Sequence, residues 1–229
     1  MIKLLIGGSP CTYWSIAKTK NRETEASGSG WELFKNFLIA RNKYKPDYFL
    51  YENNKSMSKA IRTQIAAEFG FEPVCINSAL LSAQGRHRLY WLGRRDEDGT
   101  YSRVEVEQPK DRGILMRDIL ESGLQLKKKG NTLKANYAKS SAVSGVCGHH
   151  FPAPMAAEPV RIGTIGRDTK NAGFDSQQYK GCPVYEVRGG KITIKGKQYP
   201  IKLSDGCYII RKLTVTECKR LQTVPESYV

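Results

Sequence analysis

The chain opens with a short apolar segment that is broken at once by a turn rich in glycine and proline. Ile2–Ile6 is a run of largely apolar residues, and Gly7–Pro10 separates it from Cys11. A short apolar run bounded by such a turn is typical of a buried strand. Because ligands in open α/β sheets bind beyond the carboxyl ends of the strands, Cys11 is predicted to lie at such an edge. These residues alone allow two interpretations, a nucleophile on a rigid turn or a small buried thiol.

Helical and strand patterns alternate along the segment that follows. Apolar residues at helical spacing follow a capping-box pattern at Ser29–Glu32, and a second helical pattern runs from Met57 to Phe69. Further strands are predicted at 47–51, 72–77 and 89–93. Strands that alternate with helices are typical of a parallel sheet with right-handed crossovers. The predicted fold class is therefore α/β with a parallel sheet.

Other parts of the chain lack this regularity. Thr12–Gly30 is polar and glycine-rich without periodicity, which predicts a mobile loop with a lid or binding function. From Ala142 to Gly206 glycines and prolines are frequent, and Lys191–Tyr199 alternates like a hairpin strand with a basic, exposed face. We predict a small, irregular, β-rich lobe there. A helix returns behind the capping-box pattern at Thr214–Glu217.

Charge and cysteine usage narrow the class of protein. The chain has 37 Lys and Arg against 22 Asp and Glu, a net charge of +15, which favours a polyanionic partner such as nucleic acid over a merely basic soluble protein. Six cysteines without a C-x-x-C pair indicate a reducing cytoplasm and no zinc site, and Cys147–His150 is interpreted as a polar loop. We expect no membrane-spanning segment and no signal peptide.

Reactive side chains follow successive predicted strands. A reactive side chain follows each of three predicted strands: Cys11, Glu52 and the pair formed by Arg86 and Arg88. Because the carboxyl ends of parallel strands lie at one edge of a sheet, we expect these side chains to lie close together. A thiolate can add to carbon 6 of a pyrimidine and so activate carbon 5. A carboxyl group against ring nitrogen 3 can act as an acid, and arginines can hold carbonyl or phosphate oxygens. Taken singly, Glu52 is equally well a turn carboxylate, and Arg86 a surface phosphate clamp or salt-bridge residue.

Four motifs in this order resemble those of the cytosine-5 DNA methyltransferases of bacteria and phages. The family's nucleophile motif is similar to Gly7–Cys11, and its Glu-Asn-Val motif is similar to Tyr51–Asn53. Its Gln-x-Arg-x-Arg motif is similar to Gln84–Arg88, and the helix after its target-recognition region is similar to Arg211–Gln222. Thr12 and Asn54 depart from the family's pattern. Neither departure removes a reacting group.

The resemblance implies a fold, a reaction and roles for the reactive residues. The fold would be part of the Rossmann-like sheet of methyltransferases that use S-adenosylmethionine, with a target-recognition lobe. Cys11 would attack carbon 6 of a cytosine flipped out of double-stranded DNA, while Glu52 would contact ring nitrogen 3. Arg86 and Arg88 would orient the base and the backbone. S-Adenosylmethionine would donate the methyl group without any metal, and the Thr12–Gly30 loop would close over the DNA.

The same resemblance implies further contacts and a division into regions. Substrate or DNA contacts are expected from Ser9, Pro10, Asn53, Gln84, Ser15, Lys18, Arg211, Lys191 and Lys195. Of the lysines, Lys191, Lys195 and also Lys197 are expected at phosphates rather than at bases. We expect a partial catalytic domain at 1–141, a target-recognition region at 142–206 and a returning helix at 207–229. The expected location is the cytoplasm of a bacterium or of a phage-infected host.

The resemblance is incomplete at the cofactor site. Pro10 is expected to contact S-adenosylmethionine, but the family's glycine-containing cofactor motif and its last motif are not among these residues. The strand at Ile2–Ile6 is then expected to have an exposed apolar edge. We expect a fragment of a longer enzyme, or one part of a split enzyme whose second polypeptide supplies the cofactor half, inactive alone. The alternatives are a non-catalytic DNA-binding remnant and an RNA cytosine methyltransferase.

Overall fold

The computed structural model describes residues 1–18, 20–133, 137–141, 146, 153–160 and 183–228. The chain divides into two compact units: unit 1 is Met1–Asn77 with His87–Pro109, and unit 2 is Ser78–Arg86 with Lys110–Val229. Both units contain sheets, and helices are few in the described part, so a mixed α/β fold is confirmed. The division into functional regions at residues 141 and 206 stays a prediction.

The described residues form thirteen strands and three α-helices. In chain order they are β1 (Leu4–Gly7), α1 (Gly28–Tyr44), β2 (Tyr48–Asn54), α2 (Lys59–Phe69), β3 (Val74–Asn77), β4 (Gln84–Gly85), β5 (His87–Arg95), β6 (Tyr101–Arg103), β7 (Leu124–Gln125), β8 (Gly130–Asn131), β9 (Met155–Val160), β10 (Val184–Arg188), β11 (Lys191–Ile194), β12 (Lys197–Pro200), β13 (Gly206–Lys212) and α3 (Val215–Leu221). Short 3₁₀ helices lie at Ser78–Leu80, Met116–Asp118 and Tyr137–Lys139. None of the helices in the described part is long and apolar enough to cross a membrane.

The sheet of unit 1 has the strand order β1-β2-β5-β3, and β6 also pairs with β5. β1 and β2 are parallel, with Gly7 opposite Tyr51, as the sequence predicts. β5 runs antiparallel to both β2 and β3, so the prediction of an all-parallel sheet is wrong for this strand. The reason is the short connection: parallel neighbours need a crossover of about a dozen residues or more, and only residues 78–86 join β3 to β5.

β1 lies at one end of this strand order and pairs only with β2 among the described strands. Leu4 is 59% exposed and Ile6 is 66% exposed. The expectation of an exposed apolar edge is therefore confirmed. Such an edge presents unpaired backbone groups beside apolar side chains and is a ready template for another strand.

Aromatic side chains fill the core of unit 1. Phe34 and Phe37 of α1 and Phe69 of α2 pack against Phe49 and Tyr51 of β2, with ring centroids 4.9–6.0 Å apart. Several pairs meet edge to face, the arrangement that ring quadrupoles favour. The cluster fixes both helices on the face of the sheet beneath the β1–α1 connection.

The beginning of α1 differs from the prediction. The helix starts at Gly28 with Ser27 as N-cap, and the Ser27 side chain makes no capping hydrogen bond. The predicted capping box at Ser29–Glu32 is therefore wrong. The carboxylate of Glu23 accepts from the Gly30 backbone N–H at 3.0 Å instead, so a residue of the preceding loop satisfies the first turn.

Unit 2 contains an antiparallel sheet in the order β12-β11-β10-β13-β9-β7 and a small parallel pair of β4 and β8. β11 and β12 form the predicted hairpin, in which Ile192 and Ile194 are buried while Lys191 and Thr193 are exposed. Part of the predicted recognition region lies outside the described residues, namely 142–145, 147–152 and 161–182. The Cys147–His150 segment is included in this part.

The predicted capping box of α3 is confirmed. The Glu217 N–H donates to Thr214 Oγ1 at 3.1 Å, and the Thr214 N–H donates to Glu217 Oε2 at 2.9 Å. Thr214→Ala is expected to lower the free energy of unfolding by about 1 kcal/mol, since it removes an acceptor for an otherwise unpaired N–H. Urea denaturation measures this, with Thr216→Ala inside the same helix as the control. Equal losses in both variants would contradict the capping role.

Candidate active site

Cys11 lies on an exposed turn that directly follows β1. Its carbonyl oxygen accepts from the backbone N–H of Trp14 at 3.1 Å and of Ser15 at 2.8 Å, which closes the turn. The thiol is exposed, so the interpretation of Cys11 as a small buried thiol is wrong. The structure places it at the carboxyl end of a parallel strand, as the sequence predicts.

Gly8 lets this turn run close to β2. A β-carbon at Gly8 would lie 2.5 Å from the carbonyl oxygen of Glu52 and 3.5 Å from its carboxylate. No side chain fits there without a shift of one backbone segment against another. The glycine that breaks β1 thus brings the segment before Cys11 alongside Glu52.

Ser9 is held by two side chains of β2. Tyr51 OH and Ser9 Oγ lie 2.5 Å apart, and Asn53 Nδ2 donates to the Ser9 carbonyl at 3.1 Å and to its hydroxyl at 3.2 Å. Tyr51 and Asn53 are buried, at 0% and 1% exposure. Burial raises the pKa of Tyr51, against the hydrogen bonds from Ser9 and Asn53 that lower it, so the phenol stays protonated at neutral pH.

Glu52 and Arg88 form an ion pair on the neighbouring strands β2 and β5. Arg88 Nε lies 2.8 Å from Glu52 Oε1, and the Arg88 and Glu52 side chains are 18% and 37% exposed, respectively. Register explains the contact: Asn54 is opposite Arg88, so Glu52 is its diagonal neighbour on the same face. β2 continues through Asn54 instead of ending at Tyr51, and Glu52 therefore belongs to a strand rather than to a turn.

The Thr12–Gly30 segment has no regular secondary structure before α1 begins at Gly28, as predicted, and it contacts the core of unit 1; its mobility stays a prediction. Trp14 is 0% exposed and packs in the aromatic core, and its Nε1 donates to Glu23 Oε2 at 3.1 Å. Arg22 donates to the carbonyl of Trp14 at 3.0 Å and to that of Ser56 at 2.5 Å. The polar composition of the segment did not indicate that one of its residues, Trp14, is buried in the core.

Two predicted contact residues of this segment lie near Cys11 in sequence. Ser15 is half-buried, and its hydroxyl accepts from the Ala17 N–H at 3.2 Å. Lys18 Nζ lies 4.7 Å from the centroid of the Tyr13 ring, a cation–π contact. Neither arrangement tests a contact with DNA, which stays a prediction for both.

In the described residues, no three His, Cys, Asp or Glu side chains lie close enough together to hold a metal ion. The reactive groups of unit 1 at the carboxyl ends of β1 and β2 and on the neighbouring β5 are the Cys11 thiol, the Glu52 carboxylate and the Arg88 guanidinium. That set suits nucleophilic addition with acid assistance.

A model of the family described as C-5 cytosine-specific DNA methylase matches residues 1–229. The chain belongs to this family. It is 24% identical over 99% of its length to the type II methyltransferase M.HpaII of Haemophilus parainfluenzae and 25% identical over 98% to M.FnuDI of Fusobacterium nucleatum. It is also 26% identical over 60% of its length to the orphan methyltransferase M.Rho11sI of Bacillus phage rho11s, of which it covers 28%.

The chain spans only part of the length of these relatives: 63% of M.HpaII and 67% of M.FnuDI. A solved structure of a candidate DNA modification methyltransferase encoded within a prophage (E. coli) aligns with 64% of this chain and 44% of its own. The identity is 16% and the TM-score 0.31, a likeness too weak to define the fold.

The family's other predicted site residues fall in unit 2. Arg86 is exposed there, whereas Gln84 is 5% exposed, and its amide nitrogen has no hydrogen-bond partner among the described residues. Lys191, Lys195 and Lys197 are exposed on the β11–β12 hairpin, as a phosphate-contacting role requires. Their contacts with DNA stay a prediction.

Arg211 is buried in unit 2, and the expectation that it contacts DNA is wrong. It is 8% exposed, and its guanidinium lies 2.7 Å from Glu158 Oε1 and 2.7 Å from Glu217 Oε2. Burial lowers the pKa of Arg211, but the hydrogen bonds to Glu217 and Glu158 outweigh burial and leave it raised. The arginine therefore joins β13, β9 and α3, and its guanidinium is engaged by carboxylates inside unit 2.

Sequence reasoning missed a cationic groove in unit 2. Lys127, Lys128 and Lys202 line two adjoining cavities of about 470 and 340 Å³, together with the apolar Leu126. No carboxylate of the described residues lines either cavity. The neighbouring Lys129 does not line either cavity. Its ammonium donates to three backbone carbonyls inside unit 2, those of Ala79, Ser82 and Ile114. Lys127, Lys128 and Lys129 are consecutive in sequence, and the sequence alone does not indicate which of them face outward.

Proposed function

We propose that this family member methylates carbon 5 of cytosine in double-stranded DNA through a covalent adduct with Cys11. The observation that carries the proposal is the exposed Cys11 turn, which lies against the strand that bears Glu52, the ion-pair partner of Arg88. The family match over the whole chain supports the same reaction.

The residues of unit 1 divide the chemistry among them. The Cys11 thiolate adds to carbon 6 of a cytosine flipped out of the duplex, and Glu52 delivers a proton to ring nitrogen 3. Electron density then rests on carbon 5, which becomes nucleophilic. After methylation, a water molecule takes the proton from carbon 5, and the bond between carbon 6 and sulfur breaks to release the thiolate. Ring nitrogen 3 returns its proton to Glu52, which restores the aromatic ring and the starting enzyme. Arg88 orients the Glu52 carboxylate. A contact between Arg86 of unit 2 and a base or backbone oxygen stays a prediction.

S-Adenosylmethionine supplies an electrophilic methyl group when bound. Pro10 is exposed beside Cys11 and offers one wall for such a donor. The edge of β1 beyond it has no further described strand, and Leu4 and Ile6 are exposed there. We therefore place the rest of the donor site on further polypeptide that pairs along β1 and extends this sheet towards a Rossmann-like one. The chain is then a fragment or one part of a split enzyme.

Isothermal calorimetry tests the placement of the donor site. The isolated chain is expected to show no measurable binding of S-adenosylmethionine. A mixture with the part of M.HpaII that this chain does not cover, called the cofactor segment below, is expected to restore binding. Measurable binding by the isolated chain would contradict the proposed incomplete site.

DNA binding is assigned to the exposed basic residues of unit 2, within and beside the 142–206 target-recognition region. Lys191, Lys195 and the groove lysines Lys127, Lys128 and Lys202 form cationic surfaces, and no described carboxylate lines the groove. Lysine ammonium groups suit phosphate oxygens, and these contacts position a protein on DNA without reading its sequence.

Salt dependence tests the groove. Alanine at Lys127, Lys128 or Lys202 is expected to weaken DNA binding evenly across sequences and to lower the slope of log K against log salt concentration by about 1 each. Lys43→Ala, at the exposed carboxyl end of α1, is the charge-matched control and is expected to leave the slope unchanged. Equal slopes for the groove and control variants would overturn this assignment.

Methyl transfer itself is measured with a labelled methyl donor, the cofactor segment, and randomised duplex DNA or transfer RNA. The expected product is labelled 5-methyl-2′-deoxycytidine, detected by nucleoside mass spectrometry. Label in transfer RNA alone would favour an RNA cytosine methyltransferase. DNA binding without label in either would favour a non-catalytic remnant. The location that goes with the proposed function is the cytoplasm of a bacterium or of a phage-infected host.

A further inference from the structure

The hydroxyl of Tyr51 has a place in the structure that core packing does not explain. Tyr51 is 0% exposed, and its ring packs against aromatic side chains of α1 and β5, with centroids 5.0 Å from Phe37 and 5.7 Å from Trp91. A phenylalanine would fill the same space. The hydroxyl makes its contacts with Ser9 and Asn53, at 2.5 and 3.3 Å.

Those contacts converge on the residue two positions before Cys11. Ser9 is bound through its hydroxyl by Tyr51 and Asn53 and through its carbonyl by Asn53. Pro10 follows with its backbone φ fixed by the ring, so the direction of the chain at Ser9 is passed on to Cys11. Gly8 on the other side is pressed against the Glu52 carbonyl. The turn is therefore held on both sides of the Ser9 peptide.

We propose that Tyr51 is a positioning residue for Cys11, which acts through the Ser9 hydroxyl to fix the turn that presents the thiol. The inference rests on the proposed function for its catalytic consequence, but the hydrogen bonds that define it are independent of that function. Burial raises the pKa of Tyr51, so this contact persists through the pH range in which a thiolate forms.

A second tyrosine of the same sheet provides a matched control. Tyr101 OH donates to the Pro46 carbonyl at 3.0 Å, and burial likewise raises its pKa. Pro46 lies just before the amino-terminal end of β2, whereas the Cys11 turn follows the carboxyl end of the parallel strand β1. Tyr51→Phe and Tyr101→Phe each remove one hydroxyl and its hydrogen bonding, so a general loss of stability affects both. Ser9→Ala removes the other side of the proposed contact.

Hydrogen exchange reads the turn directly, because the amides of Trp14 and Ser15 donate to the Cys11 carbonyl. Tyr51→Phe and Ser9→Ala are expected to speed exchange of these two amides about fivefold, the effect of losing one hydrogen bond from a local structure. The double variant is expected to add little to either single one, and Tyr101→Phe to leave both amides unchanged. Unchanged exchange in Tyr51→Phe, or the same increase in Tyr101→Phe, would overturn the proposal.

The catalytic consequence is read from a duplex that carries 2-pyrimidinone in place of cytosine, since this base adds a thiol at carbon 6 without a methyl donor. Tyr51→Phe is expected to slow adduct formation at saturating DNA about tenfold with no change in DNA affinity, as for a group that only orients a nucleophile. Faster exchange with an unchanged adduct rate would overturn the positioning role. Absence of any adduct with the unaltered chain would contradict the proposed function, and the exchange data distinguish that result from a failure of the Tyr51 contact.

Discussion

Cys11→Ser is expected to lower methyl transfer at least about 10³-fold, because it removes the nucleophile on which the whole reaction depends. A serine hydroxyl has the same shape but is far less ionised at neutral pH. Cys11 is exposed and packs against nothing in the described core, so stability and DNA affinity are expected to stay unchanged. The measurement is the rate of labelled 5-methyl-2′-deoxycytidine formation with the cofactor segment present.

Cys207→Ser is the control for this variant. Cys207 is a half-buried free thiol of β13 in unit 2, and its replacement is expected to leave the rate unaltered. Methyl transfer by Cys11→Ser at the rate of the unaltered chain would rule out the covalent route. Equal losses in both variants would indicate damage to the fold rather than loss of a nucleophile.

Arg211→Ala is expected to lower the free energy of unfolding by about 3–5 kcal/mol, since it leaves the carboxylates of Glu158 and Glu217 buried without their partner. Domains are stable by only about 5–15 kcal/mol, so this loss brings the chain close to unfolding. Arg211→Lys keeps one charge but cannot bridge both carboxylates, and an intermediate loss is expected. Urea denaturation followed by circular dichroism measures all three proteins.

The control is an exposed ion pair in the same unit. Arg188 Nη2 lies 2.8 Å from Glu186 Oε1, within 0.1 Å of the 2.7 Å in the buried pairs, but the side chains are 84% and 59% exposed. Arg188→Ala is expected to change stability by less than about 1 kcal/mol, because solvent screens the pair. Similar losses at Arg188 and Arg211 would contradict the importance of burial for the Arg211 pairs.

The same cluster predicts a dependence of stability on pH. Burial alone would raise the pKa of Glu217, but hydrogen bonds from Arg211 and from the N–H groups of Thr214 and Glu121 outweigh it, and the pKa is lowered. A carboxyl group whose pKa is lower in the folded chain stabilises it above the ordinary carboxyl pKa of about 4.3. That contribution is lost as the pH falls further, and Arg211→Ala is expected to flatten the acid limb of a plot of stability against pH.

Local sequence patterns predicted those parts of the fold that depend on local interactions. The strand before Cys11, the end of α2 at Gly70 and the cap of α3 at Thr214 all follow from apolar spacing and from turn or capping residues. The antiparallel direction of β5 was also within reach, because the connection at 78–86 is too short for a crossover. The periodicity of apolar residues does not indicate the direction of β5, because the same spacing occurs in parallel and antiparallel strands.

Long-range partners explain what could not be predicted. Arg211 is the first residue of the motif at Arg211–Gln222, but its burial depends on Glu158, which is 53 residues away in sequence. Trp14 in a polar segment gives no sign that it fills the core. Glu52 and Arg88 could be predicted as partners because two motifs named them, whereas the contact between Tyr51 and Ser9 depends on the approach of two segments that Gly8 alone permits.

The covalent adduct itself is the most direct test of Cys11 as the nucleophile. The unaltered chain is incubated with a randomised pool of duplexes that carry 2-pyrimidinone in place of cytosine, and the denatured product is digested and analysed by mass spectrometry. We expect a DNA–protein adduct that maps to Cys11 and is absent in Cys11→Ser. An adduct at another cysteine, or none although the duplex is bound, would contradict this role.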